Sequence, residues 1–511
     1  MHTKIYSATT IGVEAYIVDV EVDIAFGMIN FFIVGLPDVA IKESRQRIQT
    51  ALKNCGIRFP ERKITVNLAP ADLKKEGTLF DLPIAIGILQ ASQLLSIAPE
   101  FLEETLFLGE LSLDGGIKPI RGALAIAYDA QRMGKKRIIL PKENADEAAY
   151  IQSIEVIGVK NLVELISFLR HERSLAPTRI TAPRAANNAC NIDFSQVKGQ
   201  ETAKRALLIA AAGNHNVLFI GSPGSGKTML AQRLTTIMPE MAFEEVLEAS
   251  KIYSISGKLD GKPLVTQRPF RAPHHTISQA GLVGGGTFPQ PGEISLAHHG
   301  ILFLDELTEF KRPTLEALRQ PLESKKVCIA RAHQSVTFPA SFLLVAAFNP
   351  CPCGFYGDKK RTCICTQQQV HRYLEKLSGP LLDRIDLQVH VPTIEYDTVK
   401  DKTPSTSSAQ LKEKVDRAVD IQKRRFGTDC QRNATMASDQ VDAHCKLSED
   451  AEVLIRKVFN QLHLSMRGYH KVLKVARTIA DLGASEQIDV THLQEALWYR
   501  SLDQYLERHQ S

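Results

Sequence analysis

The sequence has no long apolar run. Its best candidate, Leu82 to Leu89, is short and interrupted by Pro83 and Gly87. About 20 apolar residues are needed to span a bilayer as a helix, so no transmembrane helix is expected. The start, Met1 to Tyr6, has neither the basic region nor the apolar core of a secretory signal. These absences predict a cytoplasmic protein with no membrane partner. Neither charge sign dominates: 62 Lys and Arg stand against 57 Asp and Glu, a net charge of +5. That balance is compatible with nucleic-acid binding but does not require it. Aromatic residues are few, with one tryptophan, Trp498. A disulfide framework is not expected for the nine cysteines of a cytosolic chain.

What remains is ordinary for soluble globular proteins: 44% hydrophobic and 23% charged residues over a length of 511, enough for two to four domains. No fixed-period repeat occurs. Two polar stretches read as linkers, 173–191 (RSLAPTRITAPRAANNACN) and 397–409 (DTVKDKTPSTSSA). They divide the chain into 1–172, 192–396 and 410–511. The first part alternates strands (63–68, 106–110, 137–140, 154–159) with helices (81–92, 123–132), and a Gly115-Gly116 turn falls between. The second opens with a helix over 200–212 and a strand over 216–220. The third carries helical apolar periods over 411–425, 451–462, 469–482 and 493–499. Thr491 and Gln494 have capping-box spacing at the last of these.

The middle part holds the chemistry. Gly221, Ser222, Pro223, Gly224, Ser225, Gly226, Lys227 and Thr228 fit the phosphate-loop pattern GxxxxGK[ST]. Glycines let successive backbone N–H groups turn inward around phosphates, and the helix that follows adds its positive end. Lys227 is expected to reach the β- and γ-phosphates of ATP, and Thr228 to ligate Mg²⁺. Downstream, an apolar strand ends in Asp305 and Glu306. Asp305 suits Mg²⁺, and Glu306 suits polarising the attacking water. A further strand, 342–348, ends at Asn349, whose amide is placed to position that water. Arg384, at a predicted helix end, is either an arginine finger for a neighbouring subunit or a structural partner of Asp383 or Asp386. Arg467 is a candidate phosphate contact from the third part, and Arg477 is its rival. Cys351, Cys353, Cys363 and Cys365 bring four thiols into one loop. They are either the ligands of a structural Zn²⁺ or four unliganded thiols.

The segments 270–278 (FRAPHHTIS), 281–286 (GLVGGG), 291–300 (PGEISLAHHG), 349–354 (NPCPCG) and 379–386 together resemble the magnesium-chelatase-like AAA+ proteins, in the branch associated with competence. The resemblance covers nearly the whole chain. It implies an α/β fold with three parts: an N-terminal Lon-protease-like (ribosomal S5 domain 2-like) α+β domain, an AAA+ P-loop α/β core and a C-terminal helical lid. It further implies a homohexameric ring formed with nucleotide and DNA. The implied activity is ATP-driven helicase or branch migration on single-stranded, duplex or branched DNA, beside recombination proteins. By the same resemblance, Val197 and Gln200 lie near the adenine, 252–287 is a helix-2 insertion, and 327–338 is a hairpin before the sensor strand. Arg331 near the hairpin tip, and Lys258, Lys262, Arg268 and Arg271 with Lys251 in the insertion, become candidate phosphate-backbone contacts. Any one of these cations is also read as an ordinary solvated charge.

Residues 1 to about 170 resemble the Lon protease domain. Aligned from Lys75, the position of the nucleophilic serine carries Leu79, and that of the base lysine carries Leu124. Leucine neither attacks a carbonyl nor removes a proton, so no proteolysis by this dyad is expected. Thr78 and Lys118 are the nearby replacements. Two alternatives to a DNA motor remain open at this point: a chelatase-type ATPase and a protein-remodelling ATPase, each acting on a protein partner.

Overall fold

The computed structural model describes residues 2–75, 77–180, 192–286, 289–331, 334–358, 360–393, 405–461 and 464–500. The chain divides into two compact units. Unit one is Met1–Ala185 with Leu247–Val265; unit two is Ala186–Val246 with Thr266–Ser511. The two sequence-derived linkers lie partly outside the described residues. No helix among the described residues is long and apolar enough to cross a membrane.

Unit one is built on a seven-stranded sheet. Its strands are β1 (His2–Ile11), β2 (Glu14–Ala25), β3 (Asn30–Val34), β4 (Lys63–Ala69), β5 (Thr105–Phe107), β8 (Arg137–Pro141) and β9 (Glu155–Val159), in the order β3-β4-β2-β1-β5-β8-β9. The expected single strand over 106–110 is two pieces. β5 ends at Phe107, and β6 (Glu110–Leu111) turns back on β7 (Ile117–Lys118) through the Gly115-Gly116 turn. β4 shows why the pattern KITVNLA makes a strand: Ile64, Val66 and Leu68 alternate into the core. The helix Asp81–Ala91 has no polar face because it is buried all round. Gly87 lets it sit on β2, since a Cβ there would come within 2.6 Å of Val22 Cγ2. Leu124 is fully buried on the helix Ala123–Arg132, and Leu79 packs against the same unit's core. The Thr78 hydroxyl is engaged by Glu110, and Lys118 is exposed.

The inserted segment Leu247–Val265 belongs to this unit. The helix Phe243–Ser256 begins in unit two and is part of unit one from Leu247 onward. There the Lys251 ammonium lies 3.3 Å from the centre of the Tyr128 ring. Ser254 Oγ donates to Glu147 Oε2 at 2.8 Å, and its carbonyl accepts from Gly122 N–H at 3.1 Å. The expected insertion 252–287 is therefore split between the units at Val265. Its last residue, Thr287, lies outside the described residues.

Unit two has a five-stranded parallel sheet: β10 (Val217–Ile220), β11 (Phe270–Arg271), β14 (Ile301–Leu304), β17 (Leu343–Phe348) and β18 (Leu387–His390), in the order β11-β14-β17-β10-β18. Two short pairs stand outside it. β12 (Gly284–Gly285) pairs with β13 (Gln290–Pro291), and β15 (Lys326–Arg331) pairs with β16 (Gln334–Pro339) as the hairpin read at 327–338. The helices Ser408–Phe426, Glu449–Gln461, Met466–Leu482 and Val490–Trp498 share one apolar core with the sheet. The last helix is capped two residues earlier than Thr491 and Gln494 suggested: its N-cap is Asp489, whose N–H donates to His492 Nδ1 at 3.1 Å.

A buried ionic cluster ties these helices together. Asp481 is held by Arg425 (Nη1 to Oδ2, 2.8 Å), Arg477 (Nε to Oδ1, 3.1 Å) and Asn433 (Nδ2 to Oδ2, 2.7 Å). Arg477 and Asp481 are 1% and 2% exposed. Removing the carboxylate strands two desolvated guanidiniums, so Asp481→Ala is expected to cost about 3–5 kcal/mol of stability. An unchanged denaturant midpoint would contradict this.

Candidate nucleotide site

β10, β14 and β17 run parallel, with Ile220 beside Phe348 and Leu304 beside Ala346. The residues that follow them therefore emerge at one end of the sheet, where open α/β sheets bind ligands. The loop Gly221–Thr228 leaves β10 there. Gly224 (φ +77°) and Gly226 (φ +91°) adopt the left-handed conformation that the turn demands. Lys227 opens the helix Lys227–Leu234 and is 8% exposed. Its ammonium donates to Gly221 O (2.7 Å), Ser222 O (3.1 Å) and Asn349 Oδ1 (3.1 Å). Burial pulls its pKa below the usual lysine value, against the attraction of Asp305 and Glu306. Thr228 Oγ1 donates to Asp305 Oδ2 at 2.6 Å. The two expected Mg²⁺ ligands thus stand side by side.

The fit to a triphosphate has a specific mark. Ser225 Oγ is buried and has no hydrogen-bond partner among the described residues, an unsatisfied polar atom inside the loop that is to cradle phosphate. Gln200 Nε2 reaches this loop at Ser225 O (3.4 Å) and also donates to Pro392 O (2.6 Å), while Val197 is fully buried nearby in sequence.

Glu306 holds a left-handed backbone (φ +51°) at the strand end, and its N–H donates to Asp305 Oδ1 at 2.9 Å. Its carboxylate is met by a residue to which the sequence assigned no catalytic role: His275 Nδ1 lies 3.3 Å from Glu306 Oε2. β11 pairs in parallel with β14, Phe270 opposite Ile301, so the PHH segment after β11 surfaces beside the end of β14. His275 is thereby a candidate positioning residue for Glu306. His275→Ala is expected to lower kcat roughly 10- to 100-fold with nucleotide affinity kept, and His275→Asn to recover part of the loss. Equal losses in kcat and affinity would indicate mere disruption.

The two arginines converge. Arg384 Nη2 is 2.6 Å from Glu323 Oε1, on the helix Arg319–Ser324, and Arg467 pairs with the same oxygen. Neither Asp383 nor Asp386 is the partner of Arg384; Asp386 is held by Lys471 at 3.0 Å and His215 at 3.6 Å. Arg384 Nε is buried without a hydrogen-bond partner among the described residues. The Arg384 carbonyl accepts from Asn216 Nδ2 at 2.9 Å, and Asn216 precedes β10. About 16 Å of extended strand separates that point from the phosphate loop at the other end. The rival Arg477 is withdrawn into the core by Asp481, whereas Arg467 is half exposed.

Among the candidate DNA contacts, Lys258 and Lys262 are exposed on unit one. Arg268 corrects the expectation. It donates to Pro239 O, Glu240 O and His299 O and pairs with Glu245 at 2.9 Å, so its guanidinium is consumed inside unit two. Arg271 is held bidentate by Glu293 at 2.6 and 2.8 Å. The Arg331 backbone ends β15, and its side chain lies outside the described residues. Cys351, Cys353, Cys363 and Cys365 come together, their sulfurs within 4.8 Å of one another.

Three magnesium chelatase families match successive parts of the chain: the family of subunit ChlI over residues 193–399, subunit ChlI of Mg-chelatase over 20–144, and the ChlI C-terminal family over 405–500. The competence protein ComM of Haemophilus influenzae is 45% identical over 509 residues, 99% of this chain and 98% of that one. YifB of Escherichia coli is 43% identical, covering 98% and 97%. The 38 kDa magnesium-chelatase subunit of Rhodobacter capsulatus is 27% identical over 177 residues, 31% of this chain and 50% of that one. With a phosphate loop, an acidic strand end and a polar sensor gathered at one end of a parallel sheet, the chain belongs to the magnesium-chelatase-like AAA+ family, in the group of ComM and YifB.

Proposed function

We propose that the protein is a homohexameric AAA+ ATPase that drives helicase or branch-migration activity on DNA, in the recombination of transforming DNA during competence. Its partners in this proposal are single-stranded, duplex or branched DNA, other copies of itself and recombination proteins. Lys227 exchanges its carbonyl partners for phosphate oxygens of ATP, and Ser225 gains the partner it lacks. Thr228 and Asp305 hold Mg²⁺, which neutralises and orients the phosphates. Glu306, aimed by His275, takes the proton of the attacking water, and Asn349 fixes that water. The four cysteines hold a structural Zn²⁺.

The observation that carries the ring is the shared Glu323. Arg384 and Arg467 stand together, and Arg384 is anchored at the end of β10 far from its own phosphate loop. Two cations placed there serve a neighbour's γ-phosphate, not their own. The name of the H. influenzae relative, similar over the full length, supports the competence role. The β15–β16 hairpin and the exposed Lys258 and Lys262 are the backbone contacts in this proposal, and the Lon-like unit acts as a structural or DNA-contacting part without proteolysis.

A strand-displacement and branch-migration assay tests it. The intact chain with ATP is expected to move a forked or four-way DNA substrate, and Lys227→Ala to bind it without moving it. Bound but static DNA with active ATPase would contradict the motor. It would favour a chelatase-type or remodelling ATPase acting on a protein.

A further inference from the structure

The cysteine loop and the phosphate loop touch. Cys351 Sγ lies 3.3 Å from Cys353 Sγ and 3.7 Å from Cys363 Sγ, and Cys353 and Cys363 sulfurs are 3.5 Å apart. Disulfides need about 2.05 Å. Four thiolates at about 2.3 Å from a tetrahedral zinc stand about 3.8 Å from one another, close to the spacing seen. A backbone N–H is turned toward one of the sulfurs: that of Cys365 donates to Cys363 Sγ at 3.4 Å. Such an N–H···S bond fixes the direction of the sulfur, as outer-shell partners do in metal sites.

Between the two cysteine pairs, the loop makes two contacts with the phosphate loop. Gly354, at φ +84°, has no side chain where a Cβ would fall 2.5 Å from Pro223 Cδ. Asp358 Oδ2 accepts from Ser222 Oγ at 2.7 Å, while its Oδ1 accepts from the Lys360 and Arg361 N–H groups at 2.7 and 3.2 Å. Asp358 thus joins the first residues of the phosphate loop to the loop between the cysteine pairs. On the other side, Gly221 N–H donates to Phe348 O at 3.3 Å, next to Asn349.

We propose that Cys351, Cys353, Cys363 and Cys365 bind one Zn²⁺ and that this zinc loop, through Asp358 and Gly354, holds Ser222 and Pro223 in the nucleotide-binding conformation, so that ATP affinity depends on the metal. The proposal rests on the nucleotide-site reading of Gly221–Thr228. Without a cross-link, the loop carrying Asp358 has no fixed position, and its charge-assisted bond to Ser222 is lost with it.

The test uses the full-length chain and two independent readouts: metal content by elemental analysis, and affinity for a fluorescent ATP analogue. One zinc per chain is expected. Stripping it with a thiol-directed mercurial and a chelator should weaken analogue binding about tenfold or more, and reduction followed by added Zn²⁺ should restore it. Asp358→Ala should keep the zinc and the fold yet weaken binding about tenfold, the scale of one hydrogen bond to a charged group. Iron in place of zinc, or no metal, overturns the site. Zinc present with affinity unchanged on both stripping and Asp358→Ala overturns the coupling. Zinc present with no nucleotide bound under any condition overturns instead the nucleotide reading on which the coupling rests.

Discussion

Glu306→Gln is expected to lower steady-state ATP hydrolysis by 10²-fold or more, the contribution typical of a positioned general base, with ATP and DNA binding retained. The substitution keeps the shape of the side chain and its reach to His275, and removes the ability to take a proton. The surroundings make this a narrow test. Asp305 is already engaged by Thr228 Oγ1 and by the Glu306 N–H, which suits the proposed metal-ligand role better than that of a base. Lys227 is buried, its ammonium donating to two carbonyls and the Asn349 amide oxygen. Glu306 is the carboxylate at this strand end with an exposed head, 55% accessible. Turnover within a few-fold of the unaltered chain would remove it from the chemistry.

Arg384→Ala is expected to abolish hydrolysis when every subunit carries it, by up to 10³- to 10⁵-fold as for other arginine fingers. It should nevertheless regain activity when mixed with Lys227→Ala subunits. An Arg384→Ala subunit keeps an intact phosphate loop, and a Lys227→Ala neighbour keeps an intact finger, so each mixed interface of the right order holds one complete site. Arg384 is anchored beside Asn216, at the opposite end of β10 from its own phosphate loop, which is why the site it is expected to complete is a neighbour's. Arg467 shares Glu323 with it and should show the same rescue. Mixed rings that form and stay inactive would contradict an intersubunit role.

Much of the site is legible in the chain because its chemistry is local. The phosphate loop, the apolar run ending at Asp305 and Glu306, and the strand ending at Asn349 each declare themselves within a few residues. Their meeting follows from one topological fact, a parallel sheet. What stayed hidden depends on partners far apart in sequence. Arg268 and Arg271 read as free cations in a basic insertion because Glu245 and Glu293 are distant in the chain. Arg384 has Asp383 and Asp386 beside it in the chain, yet it pairs with Glu323.

His275 carries no assigned role in the sequence, where it is one of two adjacent histidines in the segment 270–278. Its role becomes visible once β11, two residues long, is known to lie parallel to β14. So short a strand leaves no alternation to read. The segment 252–287 read as one insertion, yet it divides at Val265. Packing sets where its first part belongs: on the helix that leads into it, Lys251 and Ser254 find Tyr128 and Glu147 of unit one. At the last helix, Thr491 and Gln494 matched the capping spacing, but Asp489 with His492 gave the structure its cap. His492 fills the position usually held by Glu or Gln, so no residue pattern announced it.

The most direct test of the central claim is steady-state ATP hydrolysis with and without single-stranded, duplex and forked DNA, with oligomer size followed in the same samples. The proposed motor predicts low basal hydrolysis, ring assembly with nucleotide and DNA, and strong stimulation by DNA that Glu306→Gln removes. An assembled, active ring that DNA leaves unstimulated would contradict it and point to a protein partner as the substrate.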